Sequence, residues 1–214
     1  MLTFKDLEIK TNNEQIEKFI DALTLLLSKN PIWSREKDKE NEAHWGEKTF
    51  VFRRQKDDKL PSVGLCLCQK ENGLSWYVPN VVPLESSELS YKEYNDILTE
   101  FYEQLVKPSS NELRIETEIT SGEVNDVDIL GKEAARFLLS FSHCANKSTG
   151  GAHPADRKRW FAFIHNACIS NKQIDIDLLA RLLIEQGWNE DRTNKLVAEF
   201  EFGRDLIKYM KANG

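Results

Sequence analysis

Between Lys132 and Met210 apolar residues recur at helical spacing in four successive segments, and this run constrains the fold more than any other part of the chain. Segments with a period near 3.6 and no strand-like alternation bury their apolar residues as helices packed on one another. The first, Lys132 to Asn146, puts Ala134, Phe137, Leu138, Phe141, Cys144 and Ala145 on one face. Glu133, Arg136, Ser140 and His143 fall on the other. Gly150 and Gly151 end it, because glycine weakens a helix and frees the backbone. The second, His153 to Ser170, has Pro154 and Asp156 in its first turn, where a missing N–H is no loss and a negative charge meets the positive helix end. Its apolar face is Trp160, Phe161, Ile164, Ala167 and Cys168. Arg157 falls in the middle of that face, so it must reach water or pair with Asp126, Asp128 or Glu133. The third, Asp175 to Gln186, buries Ile176, Leu179, Leu182 and Leu183 and closes at Gly187. The fourth opens at Asn189 and carries Leu196, Val197, Phe200, Leu206, Ile207 and Met210, with Gly203 marking a close helix contact or a kink. Trp160, Phe161, Trp188, Phe200 and Phe202 read as core.

The first half alternates differently. Ile16, Phe19, Ile20, Leu23, Leu26 and Leu27 predict a helix that starts near Asn12 and ends at Asn30-Pro31. Trp33 to Gly46 is crowded with charge and reads as an exposed loop. Thr49–Arg53, Ser62–Cys68 and Leu74–Val78 predict three strands of an antiparallel meander, with Asn72-Gly73 turning the last hairpin. Pro79 and Pro83 confine their stretch of chain to edge or loop. Ser90 and Glu93 form a capping-box pattern for a helix through Leu105, which Pro108-Ser109-Ser110-Asn111 ends. Leu113–Thr120 alternates as a half-exposed fourth strand, and Ser121–Asp128 reads as an acidic linker. The fold class is therefore α+β: an N-terminal helix plus an antiparallel β-meander with a further helix and strand, followed by a C-terminal four-helix unit. The expected domains are 1–121 and 129–214.

The chain of 214 residues carries a net charge of -6, which argues against broad binding to nucleic acid or acidic membranes. It has no apolar run long enough to span a bilayer, and Met1–Lys10 lacks a secretory apolar core. Cys66, Cys68, Cys144 and Cys168 lack the spacing of a disulfide framework, so a reduced cytoplasmic setting is expected. These cysteines, with His143, His153 and His165, are the metal-donor types, but no CxxC knuckle or HExxH pattern joins them. Cys66, Cys144 and Cys168 fit the apolar faces of their elements and read as small core residues, and no metal or cofactor is expected.

Arg136 and His143 lie two turns apart on one helix, nearly aligned, with six residues between them. Arg159 and His165, with five between, diverge by about 120° on a regular helix. Such a pair in an all-helical context resembles the nucleases of the HEPN superfamily, which carry an arginine and a histidine four to six residues apart near a helix end. The resemblance implies metal-independent RNA cleavage, with His143 moving a proton and Arg136 stabilising phosphorane charge. The family commonly has a polar residue after the arginine; here Phe137 and Trp160 follow. A separate reading places a phosphate or nucleotide at the glycine joint and following helix, on Thr149, Gly150, Gly151, His153, Arg157, Lys158, Arg159 and His165. No GxxxxGK[ST] pattern supports it. Because no catalytic set is complete, the leading expectation is a small non-enzymatic protein-interaction module of an immunity-, antitoxin- or defence-accessory-like bacterial kind. Its partner would be another protein, with RNA confined to a local site.

Overall fold

The computed structural model describes residues 1–40, 48–85, 88–148, 152–170 and 172–213. The chain divides into two compact units, Leu2–Glu123 and Val124–Gly214, with Met1 belonging to the second.

The amino-terminal unit is a seven-stranded antiparallel sheet with helices. Its strands are β1 (Leu7–Lys10), β2 (Trp33–Arg35), β3 (Thr49–Arg54), β4 (Val63–Gln69), β5 (Ser75–Tyr77), β6 (Val81–Pro83) and β7 (Glu116–Ile119). They run in the order β2-β3-β4-β5-β1-β7, with β6 also paired to β4. The β3–β4–β5 meander is as expected. β7 is not its fourth strand, because β1 lies between β5 and β7 and pairs with both. Helix α1 (Asn13–Leu27) is capped by the Asn12 side chain, which accepts from the Glu14 and Gln15 N–H groups. Its Ile16, Phe19, Ile20 and Leu23 enter one core with Phe50, Phe52, Leu65, Leu67 and Trp76 of the sheet. Helix α3 (Tyr91–Phe101) has the reciprocal Ser90–Glu93 capping box and adds Ile97, Leu98 and Phe101 to that core.

Two further expectations fail in this unit. Trp33 to Gly46 is not all exposed loop: Trp33 is buried in β2, and α2 (Lys37–Glu40) follows, with Arg35 in a two-pronged ion pair to Glu40 at 2.7 and 2.9 Å. Residues 41–47 of that stretch lie outside the described residues. Pro108 does not stop the helix. A wide π turn over Tyr102–Val106 precedes it, and α4 (Lys107–Leu113) continues beyond. Proline is tolerated in a first turn, where its absent N–H is no loss. The chain finally turns at Arg114, which takes a left-handed φ of 55°.

The carboxy-terminal unit is helical: α5 (Asp126–Leu130), α6 (Lys132–Cys144), α7 (Pro154–Ile169), α8 (Ile176–Glu185) and α9 (Glu190–Asn213). The acidic linker reading fails at α5. Asn125 and Asp128 form a capping box, so these polar residues start a helix that buries Ile129 and Leu130. The core is aromatic. Phe141 stacks on Trp188 with centroids 4.9 Å apart and meets Trp160 at 5.0 Å. Phe163 bridges Trp160 at 5.0 Å and Phe200 at 5.6 Å. The Trp188 indole donates to Ser142 Oγ at 2.9 Å.

Candidate functional site

Arg136 and His143 both stand on the exposed face of α6. The Arg136 guanidinium is already engaged, donating to Glu133 Oε2 at 2.9 and 3.2 Å and lying 4.3 Å over the Phe137 ring. His143 sits exposed in the last turn of α6. Cys144 beside it is exposed, against the expected apolar face, while Phe141, Ser142 and Ala145 around it are buried.

The glycine joint divides similarly. Thr149, Gly150 and Gly151 lie outside the described residues. His153 is the N-cap of α7, and its Nδ1 accepts the Ala155 N–H at 3.2 Å. The N–H groups of Asp156 and Arg157 donate to the His153 carbonyl at 2.9 and 3.0 Å, and Pro154 has none to offer. The buried Asp156 carboxylate, paired with Arg159 at 2.8 Å, already brings negative charge to this helix start. The donors that would cradle a phosphate are therefore occupied. Lys158 and His165 are exposed, and Arg159 is half-buried in its pair with Asp156.

The cysteines are dispersed as well. Cys66 and Cys68 sit on β4, where burial pushes both thiols up, and the Thr49 hydroxyl donates to Cys68 Sγ at 3.8 Å. Among the described residues no three His, Cys, Asp or Glu side chains are grouped to hold a metal ion.

What the helices do assemble is an apolar groove between α7 and α9 that the sequence reading places in the core. Phe163 takes the core position expected of Phe161, and the face of α7 turns accordingly: Trp160, Phe163, Ile164 and Ala167 are buried, while Phe161 is 52% exposed. Arg157 pairs with none of Asp126, Asp128 and Glu133; its guanidinium lies 5.5 Å over the Phe161 ring. On α9 the buried residues end at Phe200. Beyond it Phe202 is 72% exposed, Leu206 47%, Tyr209 67% and Met210 63%. These positions follow the i, i+4, i+7, i+8 spacing that lays side chains along one helix face. Gly203 brings α9 close to α7: a Cβ there would lie 2.9 Å from Ile164 Cγ2. The resulting groove, about 430 Å³, is walled by Phe161, Ile164, Phe202 and Leu206, with Arg157 and Glu199 at its rim.

No family model, curated protein or solved structure matches this chain.

Apolar side chains that have a neighbouring groove and no covering element lose water when a complementary face lies on them. Among the described residues no helix is long and apolar enough to cross a membrane.

Proposed function

We propose that this protein is an interaction module without chemistry of its own, and that a helix of a partner protein docks in the α7–α9 groove. The observation that carries this is the exposed stripe Phe202–Leu206–Tyr209–Met210 continuing the groove at Phe161. The occupant is an amphipathic helix with apolar residues at i, i+4 and i+7 and a carboxylate for Arg157, which has no ion pair among the described residues. A small acidic chain suits an immunity-, antitoxin- or defence-accessory-like role against a basic partner.

The ribonuclease reading draws less support. Arg136 would have to leave both Glu133 and Phe137 to meet a phosphate. The phosphate-cradle reading at the start of α7 meets donors already satisfied.

Photo-crosslinking decides among them. A benzophenone amino acid in place of Phe202 or Leu206 should capture one defined protein in cells, whereas the same probe at exposed Asn111 on the other unit should not. Phe202→Ser and Leu206→Ser should then weaken binding of the purified partner by on the order of 30-fold, the size expected when an apolar anchor is removed. Their effect on stability should be within about 0.5 kcal/mol, since both are surface positions. Capture of a second copy of this chain would replace the foreign partner by self-association. Large destabilisation by both substitutions would make the stripe structural and end the proposal. RNA cleavage lost in His143→Ala with folding intact would restore the nuclease.

A further inference from the structure

On the other side of α9 lies a second and larger cavity, about 860 Å³, enclosed by α9, the end of α7 and the chain leading into α8. At 100° per residue, Arg204, Lys208 and Lys211 stand roughly 140–200° around α9 from Leu206, so the cations of this cavity and the apolar stripe lie on different faces, while Ile207 between them lines both hollows. Its floor is apolar, from Ala167, Ile174, Phe200 and Ile207. Its walls hold the cations Lys172, Arg204, Lys208 and Lys211 against the carboxylates Asp175 and Glu201.

Most of these charges already have partners. Lys172 donates to the Val127 and Asp128 carbonyls at 3.3 and 2.7 Å, closing the end of α5. Asp175 caps α8, accepting from the Asp177 and Leu178 N–H groups at 2.8 and 3.0 Å. Arg204 is shared between Asp205 at 3.2 Å and Glu201 at 3.5 Å. Lys208 and Lys211 are left with no ion pair among the described residues, one turn apart and facing the same space. The Cys168 thiol lies in the same wall: burial pushes it up, Lys211, Arg204 and Lys208 pull the other way, and Asp205 adds to the rise.

We infer that this cavity binds a small organic anion, its apolar body on the Ala167–Ile174–Ile207 floor and its carboxylate or phosphate between Lys208 and Lys211. A concave apolar site with a few convergent charges is the ordinary form of a small-molecule pocket. The overall charge of -6 disfavours a long polyanion there, since the two lysines sit in a chain that repels one.

Calorimetric titration of the full-length protein with decanoate, decyl phosphate, decanol and inorganic phosphate tests this. Decanoate or decyl phosphate should bind saturably, and the stronger of the two identifies the headgroup. Decanol and inorganic phosphate should bind at least about tenfold more weakly, each having lost one half of the recognition. The double variant Lys208→Glu/Lys211→Glu should lose about tenfold or more in affinity for the better ligand, and Lys208→Arg/Lys211→Arg should retain it. Unchanged melting temperatures would show that both variants fold. Phe202→Ser should leave this binding intact, which separates its outcome from that of the docking groove. Absence of binding by either amphiphilic anion overturns the inference. Equal binding of decanol, equal binding by the charge-reversed variant, or tighter binding of a short oligonucleotide lost in the same variant would overturn it too.

Discussion

Arg54 is fully buried, a rare place for a charge, and every one of its donors finds an acceptor. Nε and Nη2 reach Glu100 at 2.9 and 3.1 Å, Nη2 also reaches Asp57 at 2.7 Å, and Nη1 is held by the Gln55, Leu60 and Pro61 carbonyls. The Trp33 indole donates to the same Glu100 at 2.7 Å. Burial opposes the guanidinium charge, but Glu100 and Asp57 outweigh it and raise its pKa. Arg54→Leu should therefore cost on the order of 3 kcal/mol in a urea melt, because it leaves the Glu100 carboxylate without its cation, with the Trp33 N–H still donating to it. Asp57 is drawn down to about 2, first by Arg54 and then by the Leu60 and Lys59 N–H groups. A depressed acid stabilises the fold above its unfolded value, near 4, and that contribution fades as pH falls from about 4 toward 2. Asp57→Asn should flatten the loss of stability over that window relative to the parent protein. None of this is legible in the sequence, where the strand expected over Thr49–Arg53 stops one residue short of Arg54. The acceptors come from a turn and from a helix 46 positions away, and no local pattern announces them.

At the scale of elements, the signals that depend on neighbouring residues are the ones a sequence displays. Asn12, Ser90 and Asp175 all cap the helices they precede, because a cap needs only its own first turn. Ser90→Ala should lower stability by about 1 kcal/mol in thermal or urea unfolding, since the hydroxyl serves the Glu93 N–H of a complete capping box. β1 escapes detection because a four-residue alternation, Leu7-Glu8-Ile9-Lys10, is too short to stand out until β5 and β7 flank it. Phe161 and Phe202 are misplaced for a different reason. Periodicity shows which residues share a helix face but not which face meets a neighbour, and α9 runs about 36 Å, farther than the core it lies against. Gly203, a glycine inside a helical pattern, left a close contact or a kink open, and the contact with Ile164 is what the helices make of it. Gly203→Ala should gain helix propensity yet still destabilise by about 1 kcal/mol, as the new methyl meets the branched, rotamer-stiff end of Ile164. A higher melting point for that variant would show that α7 yields.

For the molecule as a whole, each unit has its own core, one built on the sheet and one on stacked aromatics. Residues 124–214 expressed alone should therefore give a helical circular dichroism spectrum and a cooperative melt, and a broad non-cooperative melt would show that the unit depends on the rest of the chain. The candidate groove was the least legible part of the protein, because exposure is a property of the assembled helices rather than of any segment. The buried arginine carries a consequence at this scale too. Side chains alternate along a strand, so slipping β3 by one residue against β4 would turn Arg54 to the opposite face and bring Arg53 inward, away from Glu100. A misregistered sheet would thus hold a naked charge against hydrocarbon, while the correct pairing alone satisfies it. Arg54 acts as a proofreading residue for strand register: it penalises near-miss topologies that the apolar pattern Phe50-Val51-Phe52, nearly as greasy on one face as the other, would tolerate.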